Sequence, residues 1–242
     1  MAEFESIRST TRSDSNVTID SGLRAHMNKV YGLMAVAMVI TGLVAWSIGT
    51  SPQLVGALFS NSIISLIVMF APLGFVFFLS ARVMKMSYSA GQLSFWLFSA
   101  LMGLSLSTIF VVYTGASIAN AFFTTAVAFG AMSLFGYTTK KDLSGMGRFL
   151  FMGVIGLIVA MIINWFTQSP GLEFAINVLG VLIFAGLTAY DTQNIKNTYL
   201  SIRNAPNGEE IAAKAGILGA LSLYINFLNM FMFLLQFMGN RE

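Results

Sequence analysis

Few side chains in this 242-residue sequence could do chemistry, and the shortage itself is informative. Cysteine is absent and His26 is the only histidine. Thiolate nucleophiles, disulfides and thiolate metal sites are therefore excluded, as are His-rich zinc centres. A Ser–His pair within the apolar body of the chain is excluded as well, because His26 stands in the polar stretch ahead of the first apolar run. Lys214 lies at the edge of the last run rather than well inside it, so a retinal-type Schiff base has no lysine. No catalytic residue is assigned, and the expectation is a protein that is not an enzyme.

One carboxylate stands out. Asp191 follows the apolar run from Asn177 to Tyr190, interrupted only by Thr188. Ionisable groups at membrane depth are costly and so point to function. Asp191 is either an interfacial group in contact with water or a protonatable gate. Arg82, at the end of the second apolar run, is the nearest candidate cation to pair with it, and its plainer role is a basic anchor. Asn226 and Asn229 lie three residues apart in the last run and share a helix face. Buried amides of this kind bond across helices at roughly 0.6–2 kcal/mol each. Beside Asp191 they could instead offer oxygens to a hard cation such as Ca²⁺, with Asp191 as its carboxylate contact. Glu173, at the start of the sixth run, reads as a first-turn charge favoured by the helix dipole.

The elements that must position these groups are seven apolar stretches: Val30–Thr50, Ser62–Ser80, Gly91–Val112, Ser117–Tyr137, Gly147–Thr167, Phe174–Tyr190 and Ala215–Met238. Each is close to the ~20 residues a helix needs to cross ~30 Å of hydrocarbon. Lipid offers no partner for backbone N–H or C=O, so the spans are predicted to be helices. The ~10-residue alternating segments of a membrane barrel are missing. Composition agrees: 56% of residues are hydrophobic and 10% charged, with a mean hydropathy of +0.77, where a soluble domain carries about 25% charged residues. The predicted fold is an all-α polytopic membrane protein in a lipid bilayer. Residues 1–29 form a polar N-terminal arm and residues 30–242 the seven-helix domain. The arm has no apolar core of a signal peptide, so the first span is expected to act as its own insertion signal.

Charge sets the predicted orientation. The arm and the second, fourth and sixth loops hold twelve of the thirteen Lys and Arg residues, and only Arg241 falls on the other side. The positive-inside rule then puts the N-terminus in the cytoplasm and the C-terminus outside. The net charge of +3 is thus a matter of topology, with no call for a nucleic-acid partner. The cytoplasmic link after Asp191 contains no helix breaker before Pro206-Asn207-Gly208, so the sixth helix is expected to continue at least two turns past Asp191. Pro72 and Gly74 predict a kink within the second span. Small residues four apart predict close helix contacts: Ser99, Gly103 and Ser107 in the third span, and Gly216 and Gly219, with their Ala partners, in the seventh.

Two motifs carry a family resemblance. The sixth span contains Gly186-Leu187-Thr188-Ala189-Tyr190-Asp191-Thr192-Gln193, and the seventh contains Leu223-Tyr224-Ile225-Asn226-Phe227-Leu228-Asn229. With Gly103-Leu104-Ser105-Leu106-Ser107 and the closing Gly239-Asn240-Arg241, the chain resembles the Bax inhibitor-1 family (the TMBIM or YccA-like group) over all seven spans. The resemblance implies a central helix wrapped by the others. It also implies a pH-sensitive Ca²⁺ leak gated by two aspartates on the sixth and seventh helices that share a proton, and a bacterial inner-membrane location. Asp191 matches the first aspartate, while the second falls at Asn226. Two close carboxylates resist joint ionisation; an Asp–Asn pair has no such coupling, so its titration should differ and its Ca²⁺ affinity should fall. An arginine latch of the family corresponds by position to Arg82. The resemblance implies an alternative role too: a regulator that binds a membrane-anchored AAA protease or another membrane protein through the polar arm. Counted from the outer ends, Asp191 and Asn226 differ in depth by ~9 Å at 1.5 Å per residue, so their contact requires an inclined helix pair or an earlier start to one span.

Overall fold

The computed structural model describes residues 2–240, with side chains from residue 21 onward. Among the described residues the elements are α1 (Ala2–Gly49), α2 (Pro52–Phe59), α3 (Ser62–Arg82), a 3₁₀ turn (Val83–Lys85), α4 (Tyr88–Leu106), α5 (Ile109–Val112), α6 (Gly115–Thr138), α7 (Ser144–Thr167), α8 (Pro170–Ile202) and α9 (Gly208–Met238). Seven segments are long and apolar enough to cross a membrane, one for each predicted span.

Local chemistry explains most of the boundaries. Asn61 caps α3 by accepting from the backbone N–H groups of Ile63 and Ile64. Ser87, Thr114 and Ser169 cap α4, α6 and α8 in the same way, and Pro170 occupies the first turn of α8. Gln168 ends α7 in the left-handed conformation at φ 49°. The α8–α9 turn depends on Asn207 at φ 58° and on Gly208, where a Cβ would stand 2.4 Å from the Ile202 carbonyl oxygen.

Several boundaries differ from the sequence expectation. Residues 21–29, read above as the end of the arm, belong to the first membrane helix: Leu23 and Met27 are buried one turn apart. The polar character of residues 1–20 gave that segment its reading, and their side chains lie outside the described residues. The third span is split, with α4 ending at Leu106 and α5 restarting at Ile109. A short helix, α2, fills part of the connection between the first two spans. Pro72 is buried within α3, which runs unbroken past it.

The last helix is the centre of the bundle. Of its most apolar stretch 67% is buried, against 6% for α7. It packs against α8, α1, α6 and α4, which gives the wrapped arrangement. Close approach is achieved where side chains vanish. A Cβ on Gly103 would lie 2.7 Å from the Thr41 carbonyl oxygen of α1, one on Gly219 would lie 2.7 Å from Ile195 of α8, and one on Gly216 would lie 3.2 Å from His26 of α1. Ser99 and Ser107 are fully buried on the same stripe as Gly103. Thr41 Oγ1 donates to the Ser99 carbonyl at 2.8 Å, which ties α1 to α4. Each of the five small residues singled out in the sequence therefore lies at a helix contact or fully buried.

Candidate functional site

The sixth-span motif works as a three-way connector. Tyr190 lies against Gly147 of α7, where a Cβ would meet its ring at 2.5 Å, and edge-on to Phe151. Thr192 shares a hydrogen bond of 3.1 Å with Ser133 of α6, which also bonds the Tyr31 hydroxyl of α1. Gln193 clamps the α6–α7 loop, accepting from the Leu143 N–H and donating to the Lys141 carbonyl, both at 2.8 Å. With those faces of α8 occupied, the helix period turns Asp191 toward α9.

There Asp191 meets Asn226. The Asn226 Nδ2 donates to Asp191 Oδ2 at 2.7 Å. Asn226 is buried and Asp191 half-buried. The pair forms despite the ~9 Å mismatch counted from the outer ends. Aromatic contacts follow this antiparallel seam, Phe184 on Phe233 at 5.9 Å and Phe174 near Phe237 at 5.5 Å between ring centres. A hydrogen bond to a charged group is worth about 1.5–3 kcal/mol, enough to hold two helices together without forbidding their separation.

Two cavities adjoin Asp191. One, of about 190 Å³, opens between the ends of α1, α8 and α9 and is lined by His26, Asn194, Tyr199 and Leu218, among others. The other, of about 400 Å³, lies deeper between α7, α8 and α9, with Leu157, Phe184, Asn229 and Phe233 in its wall. Asp191 and Ser222 line both. Asn229 bonds back to the Ile225 carbonyl at 2.8 Å, so it lines the deeper cavity without touching Asp191.

Arg82 is not part of this site. It stands exposed at the end of α3, which packs on α4 rather than on α8. Among the described residues no cation forms an ion pair with Asp191. Lys196, five residues on, donates instead to the Tyr137 carbonyl at 2.7 Å. Nor do three His, Cys, Asp or Glu side chains gather around an ion-sized space among the described residues. A hard cation at Asp191 would find one carboxylate and neutral amides there.

The sequence reading missed His26. Its ring stacks on Tyr199 with centres 4.6 Å apart and lines the cavity that leads to Asp191. Its surroundings of Ser, Thr and Arg suggested a tail. The signal that could have found it was the apolar spacing Leu23, Met27, Val30, which continues the first helix about two turns toward the N-terminus.

The comparisons with known proteins agree with this architecture. The family model described as "Inhibitor of apoptosis-promoting Bax1" matches residues 23–242. The chain belongs to the Bax inhibitor-1 family. It is 46% identical over 233 residues to the inner membrane protein YbhL of Escherichia coli K12, covering 96% of this chain and 98% of that one. An uncharacterized protein of Caulobacter vibrioides is 44% identical over 244 residues, with 97% and 96% coverage. Another, from Borreliella burgdorferi, is 39% identical over 214 residues, with 88% and 91% coverage. The Bax inhibitor-1 match begins at residue 23, where the described side chains show the first helix packing into the bundle. This family member is thus an integral membrane protein of seven spans, packed about the one that carries Asn226.

Proposed function

We propose that this protein is a cation leak, with Ca²⁺ as its principal ion, and that the Asp191–Asn226 hydrogen bond is its closed gate. One observation supports the reading: Asp191 and Ser222 line two neighbouring cavities, one beside the α8–α9 turn and one between α7, α8 and α9. In this reading, breaking the 2.7 Å Asp191–Asn226 bond opens the passage from one to the other. The carboxylate would then offer a passing cation its single strong ligand, with the freed Asn226 amide oxygen beside it. Because the Asn226 amide has no titratable proton, coupled titration of two carboxylates does not operate here. Protonation of Asp191 alone remains, and pH dependence should be shallow. The protein acts in a bacterial inner membrane, as its Escherichia coli relative, the inner membrane protein YbhL, suggests, with the basic loops in the cytoplasm.

Liposome flux tests this. The native chain should admit Ca²⁺, Asp191→Asn should change the flux at least several-fold, and Asn226→Asp should steepen its dependence between pH 6 and 8. Flux absent from the native chain but present in Asn226→Asp would mark a silenced channel. Binding to a membrane-anchored AAA protease or another membrane protein then becomes the leading function. Absence from all three would remove the channel.

A further inference from the structure

The larger cavity beside Asp191, of about 400 Å³, is built from helix stripes that face one another. On α8 its wall is Phe184, Leu187 and Asp191, spaced three and four residues apart on one face. On α9 Ser222, Asn226 and Asn229 have the same spacing. The Asp191 carboxylate reaches across to this second stripe, since its Oδ2 accepts from the Asn226 amide. That bond comes from a neutral donor and leaves the negative charge without a counterion. Among the described residues no other group bonds Asp191, and none of the Lys, Arg or His side chains lines this cavity. A carboxylate set in an apolar wall is unfavourable until a cation joins it.

The rest of the wall chooses the kind of cation. A hard metal ion held at rest needs several oxygen ligands, and this cavity adds three phenylalanines and a row of aliphatic side chains to its one carboxylate. An organic ammonium ion is satisfied differently. Its N–H groups donate to the carboxylate, its body buries apolar surface, and the faces of the rings attract its charge. The volume is that of a site for a small organic ligand, mostly apolar with a few polar groups to orient it. The route in is lateral. Phe151, Ile158 and Met161 line the cavity from α7, yet they are 53%, 53% and 47% exposed, so the cavity borders the lipid-facing surface.

We infer that this cavity binds a lipophilic ammonium ion drawn from the bilayer, with the charge paired to the Asp191 carboxylate and the apolar body against Phe184 and Phe233. Such an occupant takes the carboxylate that a passing metal ion would need, so it blocks the pathway from the lipid side. That consequence rests on the proposed leak, whereas the binding itself can be measured without any flux.

Radiolabelled phenylbutylamine, a protonated amine at neutral pH, is the probe, dialysed to equilibrium against the full chain in neutral detergent micelles. Saturable binding is expected, and phenylbutanol, its uncharged counterpart, should fail to compete. Asp191→Asn should weaken binding roughly tenfold or more, at unchanged helical content by circular dichroism. Asp191→Glu, which keeps the charge, should retain most of it. Ile158→Trp enlarges an exposed side chain in the wall and should weaken binding several-fold without touching the carboxylate. Absence of saturable binding to the native chain, equal competition by the alcohol, or an affinity indifferent to both Asp191→Asn and Ile158→Trp would overturn the site. In liposomes the amine should suppress Ca²⁺ entry. Amine binding by a chain that passes no Ca²⁺ would sink the leak alone, and Ca²⁺ entry through a chain that binds no amine would sink this inference alone.

Discussion

Tyr224 shows how much one buried hydroxyl can organise. It is fully buried beside Asn226, edge-on to Phe95 and Phe98, and bonds Thr41 Oγ1 at 2.6 Å. Thr41 also donates toward the carbonyls of Ala37 and Ser99. One cluster thus joins α1, α4 and α9 behind the Asp191–Asn226 pair. Tyr224→Phe removes the bond and keeps the ring packing. It should cost about 1 kcal/mol, a fall of about 2–4 °C in melting temperature for a chain of this size. In a double-mutant cycle with Thr41→Val, the two losses should fall short of adding, because each removes the same contact. Additive losses would show that the hydroxyls act separately. At this scale the sequence was partly legible. Asp191 and Asn226 were chosen as partners from their motifs, and they bond. Arg82 was chosen by its place at the end of a span, and it stands apart, since distance along a helix says nothing about which neighbour that helix packs against.

Among the helices, glycine placement separates contact faces from open ones. A Cβ on Gly136 of α6 would stand 2.1 Å from the Ala189 carbonyl oxygen of α8, whereas one on Gly130 would meet nothing within 4 Å. Gly136→Ala must push apart the two helices that hold the Asp191 motif. It should destabilise by about 1–3 kcal/mol, with a drop in melting temperature and in recovered folded protein. Gly130→Ala should change stability by less than about 0.5 kcal/mol. Equal effects from both would mean that α6 and α8 do not depend on this approach. The α6–α7 loop shows a related economy. Asp142 accepts from the Ser144 N–H at 2.9 Å, and these bonds hold its carboxyl below the ordinary 3.8, so its contribution is present above that value and lost only on acidification below it. A flux response between pH 6 and 8 therefore cannot come from Asp142. The extension of α8 beyond Asp191 was read correctly from the lack of a breaker, and it runs on to Ile202.

For the whole molecule, the loops give a test of orientation that needs no functional assay. The absence of cysteine means that a single introduced thiol is the only one in the chain. Lys140 and Ser60 are both exposed, at connections on opposite ends of the bundle. An impermeant maleimide added to intact cells should label Ser60→Cys and spare Lys140→Cys, while inverted vesicles should give the reverse. The opposite pattern would overturn the positive-inside assignment.

Amino-acid order alone determined the solvent and the count. A span must hide every backbone polar group within its own helix, and that demand writes itself into ~20-residue apolar runs that can be read locally. It also determined the family, through motifs whose residues serve three neighbouring helices at once. Tertiary structure decided what lies between the helices. Every span is apolar on both its lipid and its protein faces, so hydropathy does not mark the buried side. That is why His26 in the cavity beside Asp191, Ser222 in the walls of two cavities and the unpartnered Oδ1 of Asn177 emerged only when α1, α7, α8 and α9 were assembled around them.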